Sequence, residues 1–472
     1  MMAKFFDIKL RDYVYSPNHK NAGFGYYGDK KHDYVVSEYP QEMSAEKSYF
    51  SFLDSSEIGN DENSGKGLEY IFDLESELLQ VLARMEYEGV TIDSTKLKEL
   101  GEYLEKESKR IEVEIYELTG ESFNINSAKQ VQEMLFGKLK IPTNKKIKTG
   151  FSVDNEVLSY IAKDHAIAGL ILEYRGLKKL QSTYVEGLLK SINPRTKKIH
   201  TTYNQTQAST GRLSSETPNL QNIPSGDKNS DEIKSCFIPS KPGYTLLVAD
   251  YSQVEIRILA NLSEDVTLID AFKNNEDIHM RTAKLLFGED TMISSELRRR
   301  AKTVNFGVIY GISGFGLSKT MDISPKEASE YIEKFYDKYS GVKTYYERIL
   351  EEARKTGYVE TFFGRRRYIS GLNDANKIIK GQAEREAINM PIQGTAADVI
   401  KIAMINIANF LKDGNYRSKM ILQVHDELVF EIHDDEMMIL KEKIKEIMEN
   451  TFPFEIKLFV EIGTGKNWKE AK

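Results

Sequence analysis

The chain has 472 residues, more than one compact domain holds, so we expect two to four structural units. Its hydrophobic share of 40% fits a sizeable core, and the absence of a long uninterrupted apolar run predicts no membrane-spanning helix. The net charge of −7 disfavours a polyanion partner on average, and the single Cys236 excludes an internal disulfide and fits the reducing cytoplasm.

The first predicted helix follows a linker. Residues 54–67 are polar and rich in Gly and Ser, which is typical of a linker. From Tyr70 an apolar face recurs at helical spacing as far as Gly89. Its predicted buried residues are Leu74, Leu78, Leu82 and Met85.

Helices are predicted to dominate residues 69–185. Asp93 suits the N-cap of a long helix that ends at Gly120, and a third helix is predicted over 127–136. A basic loop follows at 144–149. The long helix is predicted to carry its apolar face on Leu97, Leu100, Leu104, Ile111 and Leu118.

The centre of the chain mixes strands with helices. Residues 198–203 have the β-branched character of a strand, and the short apolar run 245–249 predicts a buried one. We expect residues 253–384 to be largely helical. A further helix is predicted over 385–410, interrupted at Pro391 because proline lacks the backbone donor.

A hairpin with a charged tip is predicted near the end of the chain. Two apolar runs, 420–424 and 428–432, are separated only by residues 425–427. Asp426 lies at this tip, and Asp250 directly follows the buried strand. Two carboxylates on rigid elements suit a pair of Mg²⁺ ions that activate one oxygen and neutralise another in phosphoryl transfer. Unrelated aspartates at strand ends are the alternative.

One segment, 298–311, places two cations and two aromatics at a spacing of four. Arg298 and Lys302 suit a triphosphate, and Phe306 and Tyr310 offer faces for a base and a sugar. Packing of an ordinary amphipathic helix is the alternative interpretation.

Basic residues also form short clusters in spite of the acidic average. They lie at 145–148, 298–300 and 365–367. A local basic patch matters more for nucleic-acid binding than the total charge does, although solvated helix faces would explain the clusters equally well.

Six segments form an ordered set. They are 250–257 (DYSQVEIR), 298–311 (RRRAKTVNFGVIYG), 424–427 (VHDE), 210–215 with 219–224, 385–389 with 393–398, and 463–468. Taken in chain order, they resemble the motifs of family A DNA polymerases, the DNA polymerase I family, and the resemblance covers residues 69–472. It implies an α+β fold of the right-hand type, with palm, fingers and thumb.

The resemblance also implies a function. The chain would be a template-directed DNA-dependent DNA polymerase that transfers dNMP to a primer 3′-hydroxyl and releases pyrophosphate. Its cofactors would be two Mg²⁺ ions, for which Mn²⁺ can substitute. Its partners would be primer–template DNA and deoxynucleoside triphosphates, and we expect a cytoplasmic monomer without a membrane partner, associated with the nucleoid if bacterial.

The family's roles fall on matching positions of this sequence. The metal ligands would be Asp250, Asp426 and the main-chain carbonyl of Tyr251, with Glu427 assisting. The residues meeting the nucleotide would be Gln253, His279, Arg298 and Lys302 at the triphosphate, Phe306 on the incoming sugar and base, Tyr310 beside the templating position, and Glu255 as a steric gate held by Tyr310. Lys302 would also donate a proton to pyrophosphate. The DNA contacts would be Arg212, Asn219, Asn222, Arg385, Asn389, Gln393 and His425.

Several of these residues have plainer interpretations. His279 could be a surface or capping histidine, and Glu255 could be a surface helix charge. Asn389 and Gln393 could satisfy helix contacts only.

The resemblance divides the chain into regions. They are an inactive exonuclease-like remnant (1–53), the linker (54–67), a helix leading into the polymerase core (69–93), the thumb (94–190), the palm (190–262 and 384–472) and the fingers (263–383).

The front of the chain resembles a proofreading exonuclease only in part. Asp7 with Tyr13 matches one of its carboxylate segments, but no Asp-x-Glu pair precedes it and no Tyr-x-x-x-Asp counterpart lies between Asp33 and Tyr70. We therefore expect no proofreading and no 5′-nuclease domain, whether the chain starts within a decayed domain or is a fragment of a longer one.

Two rival functions stay open. A single-subunit RNA polymerase shares the two aspartates and the helical segment that carries Lys302 and Tyr310, although Glu255 disfavours this function. An inactive DNA-binding homologue is the second rival, disfavoured by the retained Asp250, Asp426, Lys302 and Arg298.

Overall fold

The computed structural model describes residues 10, 13–14, 65–143, 146–147, 150–224, 226, 228–289, 291–452 and 454–472. These residues divide into two compact units. Unit 1 holds the described residues up to Tyr87, Tyr203–Ser214 and Ala249–Ile462, and unit 2 holds Glu88–Thr202, Ser215–Val248 and Gly463–Lys472. Apart from residues 10, 13 and 14, the predicted exonuclease-like remnant lies outside the described residues, and so does nearly all of the predicted linker.

Unit 2 is built on the predicted long helix, Ser94–Thr119. The Asp93 carboxylate accepts hydrogen bonds from two backbone amides of the first turn, and Gly120 ends the helix in the left-handed conformation that glycine adopts freely. The helix packs against Ala166–Lys179. Four of the five predicted apolar residues are buried, but Leu118 is 54% exposed because the buried face ends at Ile115.

The remaining elements of unit 2 are short. Its helices include Ala128–Gln132, Asn155–Ile161, Gly187–Ser191 and Lys228–Lys234, and wider π-helical turns cover Glu133–Lys138 and Leu180–Glu186. A three-stranded sheet has the order Lys198–Ile199, Val90–Ile92, Phe237–Ile238. The basic loop contains the short antiparallel pair Lys146–Ile147 and Gly150–Phe151.

The predicted strand over 198–203 is not continuous. Lys198–Ile199 pairs with Val90–Ile92, whereas the next strand, Thr202–Asn204, belongs to a different sheet. Cys236 is a buried small hydrophobe as the composition suggests, and burial raises the pKa of its thiol to about 11.

The predicted hairpin is confirmed in unit 1. Lys419–Val424 pairs antiparallel with Glu427–His433, and Val424 faces Glu427 across a turn of two residues. In sheet order the hairpin is followed by Tyr244–Tyr251 and then Val460–Gly465. Asp250 therefore lies within the last residues of its strand, and Glu427 opens a strand instead of forming part of the turn.

Helices make up most of unit 1. They are Gly65–Glu88, Val254–Ser263, Val266–Lys273, Ile278–Phe287, Ser295–Ile309, Gly314–Met321, Pro325–Lys338, Ser340–Thr356, Lys377–Asp413 and Met437–Glu449. The first of them begins at Gly65 rather than at Tyr70 and buries the four predicted apolar residues. The largely helical region also contains an unpredicted hairpin, Tyr358–Glu360 with Arg366–Tyr368.

The longest helix, Lys377–Asp413, continues through Pro391, so the predicted interruption is wrong. Pro391 is buried, and the Thr395 hydroxyl donates to its carbonyl at 2.6 Å. By length and composition this is the one described helix that could cross a membrane, but 72% of its apolar window is buried inside the protein. A core helix meets the same criteria.

Candidate active site

The two predicted carboxylates come together in unit 1. The amide of Tyr251, directly after Asp250, donates to the carbonyl oxygen of Asp426 at 3.2 Å. Beside each aspartate the backbone turns sharply, with positive φ at Gln253 (54°) and His425 (53°). Both are non-glycine residues in a conformation that costs free energy and is concentrated at functional sites.

Negative charge is concentrated around Asp426. Burial raises the pKa of its carboxyl to about 6, Arg212 opposes this shift, and the carboxylates of Glu255 and Asp250 add to it. Glu427 is buried beside the turn. Two adjacent carboxylates with this mutual repulsion are a donor set that a divalent cation would stabilise. Among the described residues no group of three or more His, Cys, Asp or Glu is placed so that it could hold a metal ion.

Glu255 is held from two sides. It lies in the first turn of Val254–Ser263 and is 5% exposed. Arg212 Nη2 donates to Oε1 at 2.6 Å, and the Tyr310 hydroxyl donates to Oε2. Burial and the Glu255 carboxylate raise the pKa of Tyr310. The predicted contact between the gate and Tyr310 is thus present, and the interpretation of Glu255 as a surface charge is wrong.

The four residues spaced by four, Arg298, Lys302, Phe306 and Tyr310, form a stripe along the helix Ser295–Ile309, with Tyr310 at its C-cap. Lys302 Nζ lies 5.9 Å from the ring centroid of Phe306, and the rings of Phe306 and Tyr310 are 6.3 Å apart. Arg298 Nε donates to Asp277 at 2.7 Å, whereas no described carboxylate forms an ion pair with Lys302. The exposed Lys302 ammonium is therefore available to an anionic ligand.

His279 is buried at 3% exposure, so it is not a surface histidine. Asp277, not His279, caps the helix Ile278–Phe287. The ring lies 5.7 Å from that of Phe306, and Nδ1 is 2.8 Å from Asn305 Nδ2. Burial lowers the pKa of His279 to about 4, Asp277 opposes this shift, and Arg298 and Lys302 add to it.

A second stripe lies on Lys377–Asp413, where Arg385, Asn389 and Gln393 recur at a spacing of four. Asn389 Nδ2 donates to the carbonyl of Tyr310 at 3.4 Å. A Cβ built on Gly394 would lie 3.1 Å from the carbonyl oxygen of Thr210, so this face lies beside the loop that carries Arg212.

The remaining three predicted DNA contacts are divided between the two units. Asn219 and Asn222 belong to unit 2, where the Asn219 carboxamide oxygen accepts the amides of Gln221 and Asn222. The exposed His425 precedes Asp426 in the hairpin turn. All the predicted metal and nucleotide residues thus belong to unit 1, whereas Asn219 and Asn222 do not.

A buried charge cluster in unit 1 was not predicted. It consists of Glu75, Arg365, Asp398 and Lys401, each at most 4% exposed at its side chain. Lys401 and Arg365 both donate to Glu75, and Arg365 Nε donates to Asp398 at 2.8 Å. Although burial opposes ionisation, the Lys401 and Arg365 cations hold the pKa of Glu75 below its ordinary value.

The cluster also orders the loop before Arg212. Gln205 Nε2 donates to Glu75 at 2.6 Å, and Gly211, with φ of 83°, lies so close to Arg365 that a Cβ would be 2.6 Å from its Nε. Arg365 therefore does not belong to a solvated basic patch. A recognisable signal was the placement of Glu75 on the apolar face of its helix, next to Leu74 and Leu78.

Comparisons with known proteins agree on one family. The family model for DNA polymerase family A matches residues 94–470. DNA polymerase I of Caldicellulosiruptor bescii is 47% identical over 400 residues, which are 84% of this chain and 47% of that protein. DNA polymerase I of Bacillus subtilis is 46% identical over 407 residues, 86% of this chain and 46% of that protein. The chain thus spans about half the length of these relatives.

A solved structure is also similar. The POL domain of Pol1 from M. smegmatis, in complex with DNA primer-template and dNTP, is 40% identical and superposes with a TM-score of 0.81. The match covers 86% of this chain and 71% of that one. It confirms the predicted α+β polymerase fold.

Proposed function

The chain belongs to DNA polymerase family A, and from this premise we propose that it is a template-directed DNA polymerase. It would add dNMP to a primer 3′-hydroxyl and release pyrophosphate. The observation that carries the proposal is the strand pairing that sets Asp250 beside Asp426, in the same unit as the Arg298–Tyr310 stripe. Primer–template DNA and dNTP are the proposed ligands of a cytoplasmic monomer, associated with the nucleoid if the protein is bacterial.

Asp250, Asp426 and the main-chain carbonyl of Tyr251 would hold two Mg²⁺ ions, or Mn²⁺ in their place, with Glu427 assisting. When bound, such ions activate the attacking oxygen and neutralise charge on the leaving one. The raised pKa of Asp426 fits this role, because a carboxylate that burial and, to a smaller degree, the neighbouring Glu255 and Asp250 carboxylates destabilise is stabilised by a cation.

The triphosphate would lie along the cationic end of the stripe. Lys302, free of a carboxylate among the described residues, would bind phosphate oxygens and donate a proton to the leaving pyrophosphate. Arg298 would exchange its contact with Asp277 for phosphate, and His279 and Gln253 would add hydrogen bonds.

DNA would be bound by the face that carries Arg385, Asn389 and Gln393, with Arg212 and His425 near the primer end. Minor-groove acceptors are common to all base pairs, so these contacts would test pair shape and not sequence. For unit 2, taken by itself, Asn219, Asn222 and the basic loop 144–149 are proposed to contact DNA. Of the predicted regions, 94–190 would be the thumb, 190–262 and 384–472 the palm, and 263–383 the fingers.

Primer extension with dNTPs and NTPs in parallel tests the proposal. We expect templated extension with dNTPs and little with NTPs. Preferential use of NTPs would favour an RNA polymerase, and extension with neither would favour an inactive DNA-binding homologue.

Glu255→Ala should weaken sugar discrimination. The variant opens the space that a ribose 2′-hydroxyl needs, and we expect ribonucleotide incorporation relative to dNTP to rise about ten- to a hundredfold. Single-nucleotide kinetics with dNTP and NTP give the ratio. Glu255→Gln, which keeps the bulk, should retain most of the discrimination; equal ratios in wild type and Glu255→Ala would contradict the gate.

Phe306→Tyr should improve the use of dideoxynucleotides. The added hydroxyl can replace a hydrogen bond that the missing 3′-hydroxyl no longer makes, which predicts a gain of roughly tenfold or more. Termination efficiency on a primed template measures it. Phe315→Tyr on the neighbouring helix, with a 64% exposed ring, is the matched control and should leave termination unchanged.

A further inference from the structure

The buried contact between His279 and Asn305 determines where the imidazole carries its proton. Asn305 lies on Ser295–Ile309 and is 2% exposed. Its Nδ2 lies 2.8 Å from His279 Nδ1 and 3.5 Å from the carbonyl oxygen of Ile278. A carbonyl oxygen repels an amide oxygen and attracts an amide N–H, so the NH₂ group, not Oδ1, faces the ring.

The protonation state of the ring follows from its neighbours. The groups that face it are the Asp277 carboxylate and the Arg298 and Lys302 cations, and burial together with the two cations keeps the imidazole neutral at pH 7. A neutral ring has one N–H. Because Nδ1 accepts the Asn305 hydrogen bond, the proton must be on Nε2, which makes no hydrogen bond to any described residue.

We propose that Asn305 is a positioning residue of the nucleotide site, which holds His279 as the Nε2–H tautomer so that the ring donates a neutral hydrogen bond to the triphosphate. The proposal rests on the proposed function for the identity of the ligand. In the other tautomer the Nε2 lone pair would face a phosphate oxygen and repel it. Arg298 and Lys302 supply the positive charge, and His279 supplies a directed donor.

The tautomer is measured directly in the free protein. Nitrogen-15 histidine labelling and long-range ¹H–¹⁵N spectra distinguish the two ring nitrogens, and His279→Gln assigns the signal. We expect Nε2–H in the wild type. A wild-type Nδ1–H tautomer would overturn the proposal, and this result is independent of whether the protein extends primers, so it separates a failure here from a failure of the proposed function.

Two variants test the consequence for nucleotide binding. Asn305→Leu removes the donor and should raise the KM for dNTP roughly ten- to a hundredfold with a smaller change in kcat. Asn305→Asp places a carboxylate at Nδ1, which favours a doubly protonated ring at low pH and Nδ1–H at high pH. Relative to wild type at each pH, its KM should therefore rise from pH 6 to pH 9.

If Asn305 had a purely structural role, the ratio of the Asn305→Asp KM to the wild-type KM would not depend on pH. Asn409→Leu, an exposed position in the same unit, is the control for the loss of an amide and should leave KM unchanged. A wild-type KM and tautomer in Asn305→Leu, or a pH-independent KM ratio in Asn305→Asp, would refute the positioning role.

Discussion

Asp426→Asn should slow primer extension about a thousandfold or more while the protein stays folded. The change removes the charge that would hold a cation, and cation stabilisation of the transition state is worth several kcal/mol, of which about 4 kcal/mol corresponds to a factor of a thousand. Single-turnover extension of a labelled primer measures the rate.

Although Asp426→Asn loses activity, its stability against unfolding should not fall. The folded pKa of Asp426 is raised to about 6, so the ionised carboxylate opposes folding above that pH, and this penalty disappears as pH falls toward the ordinary aspartate pKa near 4. In EDTA at pH 7.5 the variant should thus unfold at a temperature no lower than wild type. Asp435→Asn, at a 76% exposed side chain, is the control and should keep full activity. Wild-type extension by Asp426→Asn would refute its role.

Glu75→Gln should lower the free energy of unfolding by about 3–5 kcal/mol. The change leaves the buried Lys401 ammonium without the carboxylate to which it donates, and an uncompensated buried charge costs about that much. Urea unfolding followed by circular dichroism measures the loss. Comparing the m-values of wild type and variant, that is, the slopes of the free energy of unfolding against urea concentration, shows whether the unfolding transition itself has changed.

Two variants control for this interpretation. Glu77→Gln, exposed on the same helix, should change the free energy of unfolding by no more than about 0.5 kcal/mol. Glu75→Gln with Lys401→Met leaves the Arg365–Asp398 pair intact and should recover about 1 kcal/mol or more of the loss. If Glu75→Gln behaves like Glu77→Gln, the cluster contributes no net stability.

Local patterns predicted the elements that carry the site. The two apolar runs around residues 425–427 form a hairpin, because two strands joined by a two-residue turn have few possible partners besides each other. Asp93 and Gly120 correctly indicated the two ends of a long helix. The spacing of four from Arg298 to Tyr310 placed one stripe correctly, since helical geometry alone determines it.

Contacts between distant segments could not be predicted in the same way. Arg365 looked like one of three adjacent surface arginines, and only folding reveals that Glu75 and Asp398 neutralise it in the core. Pro391 looked like a helix break, but packing around the helix offsets the lost backbone bond. The placement of Asn219 and Asn222 in unit 2 also depends on tertiary structure.

Whether Asp250 and Asp426 together hold divalent cations can be tested by counting the bound ions. With a dideoxy-terminated primer, template and the next dNTP, electron paramagnetic resonance of Mn²⁺ reports the ions held by the complex. We predict two Mn²⁺ per wild-type complex and a loss of both from Asp250→Asn/Asp426→Asn, with DNA binding retained. The same count in wild type and double variant would show that these two carboxylates do not form one cation site.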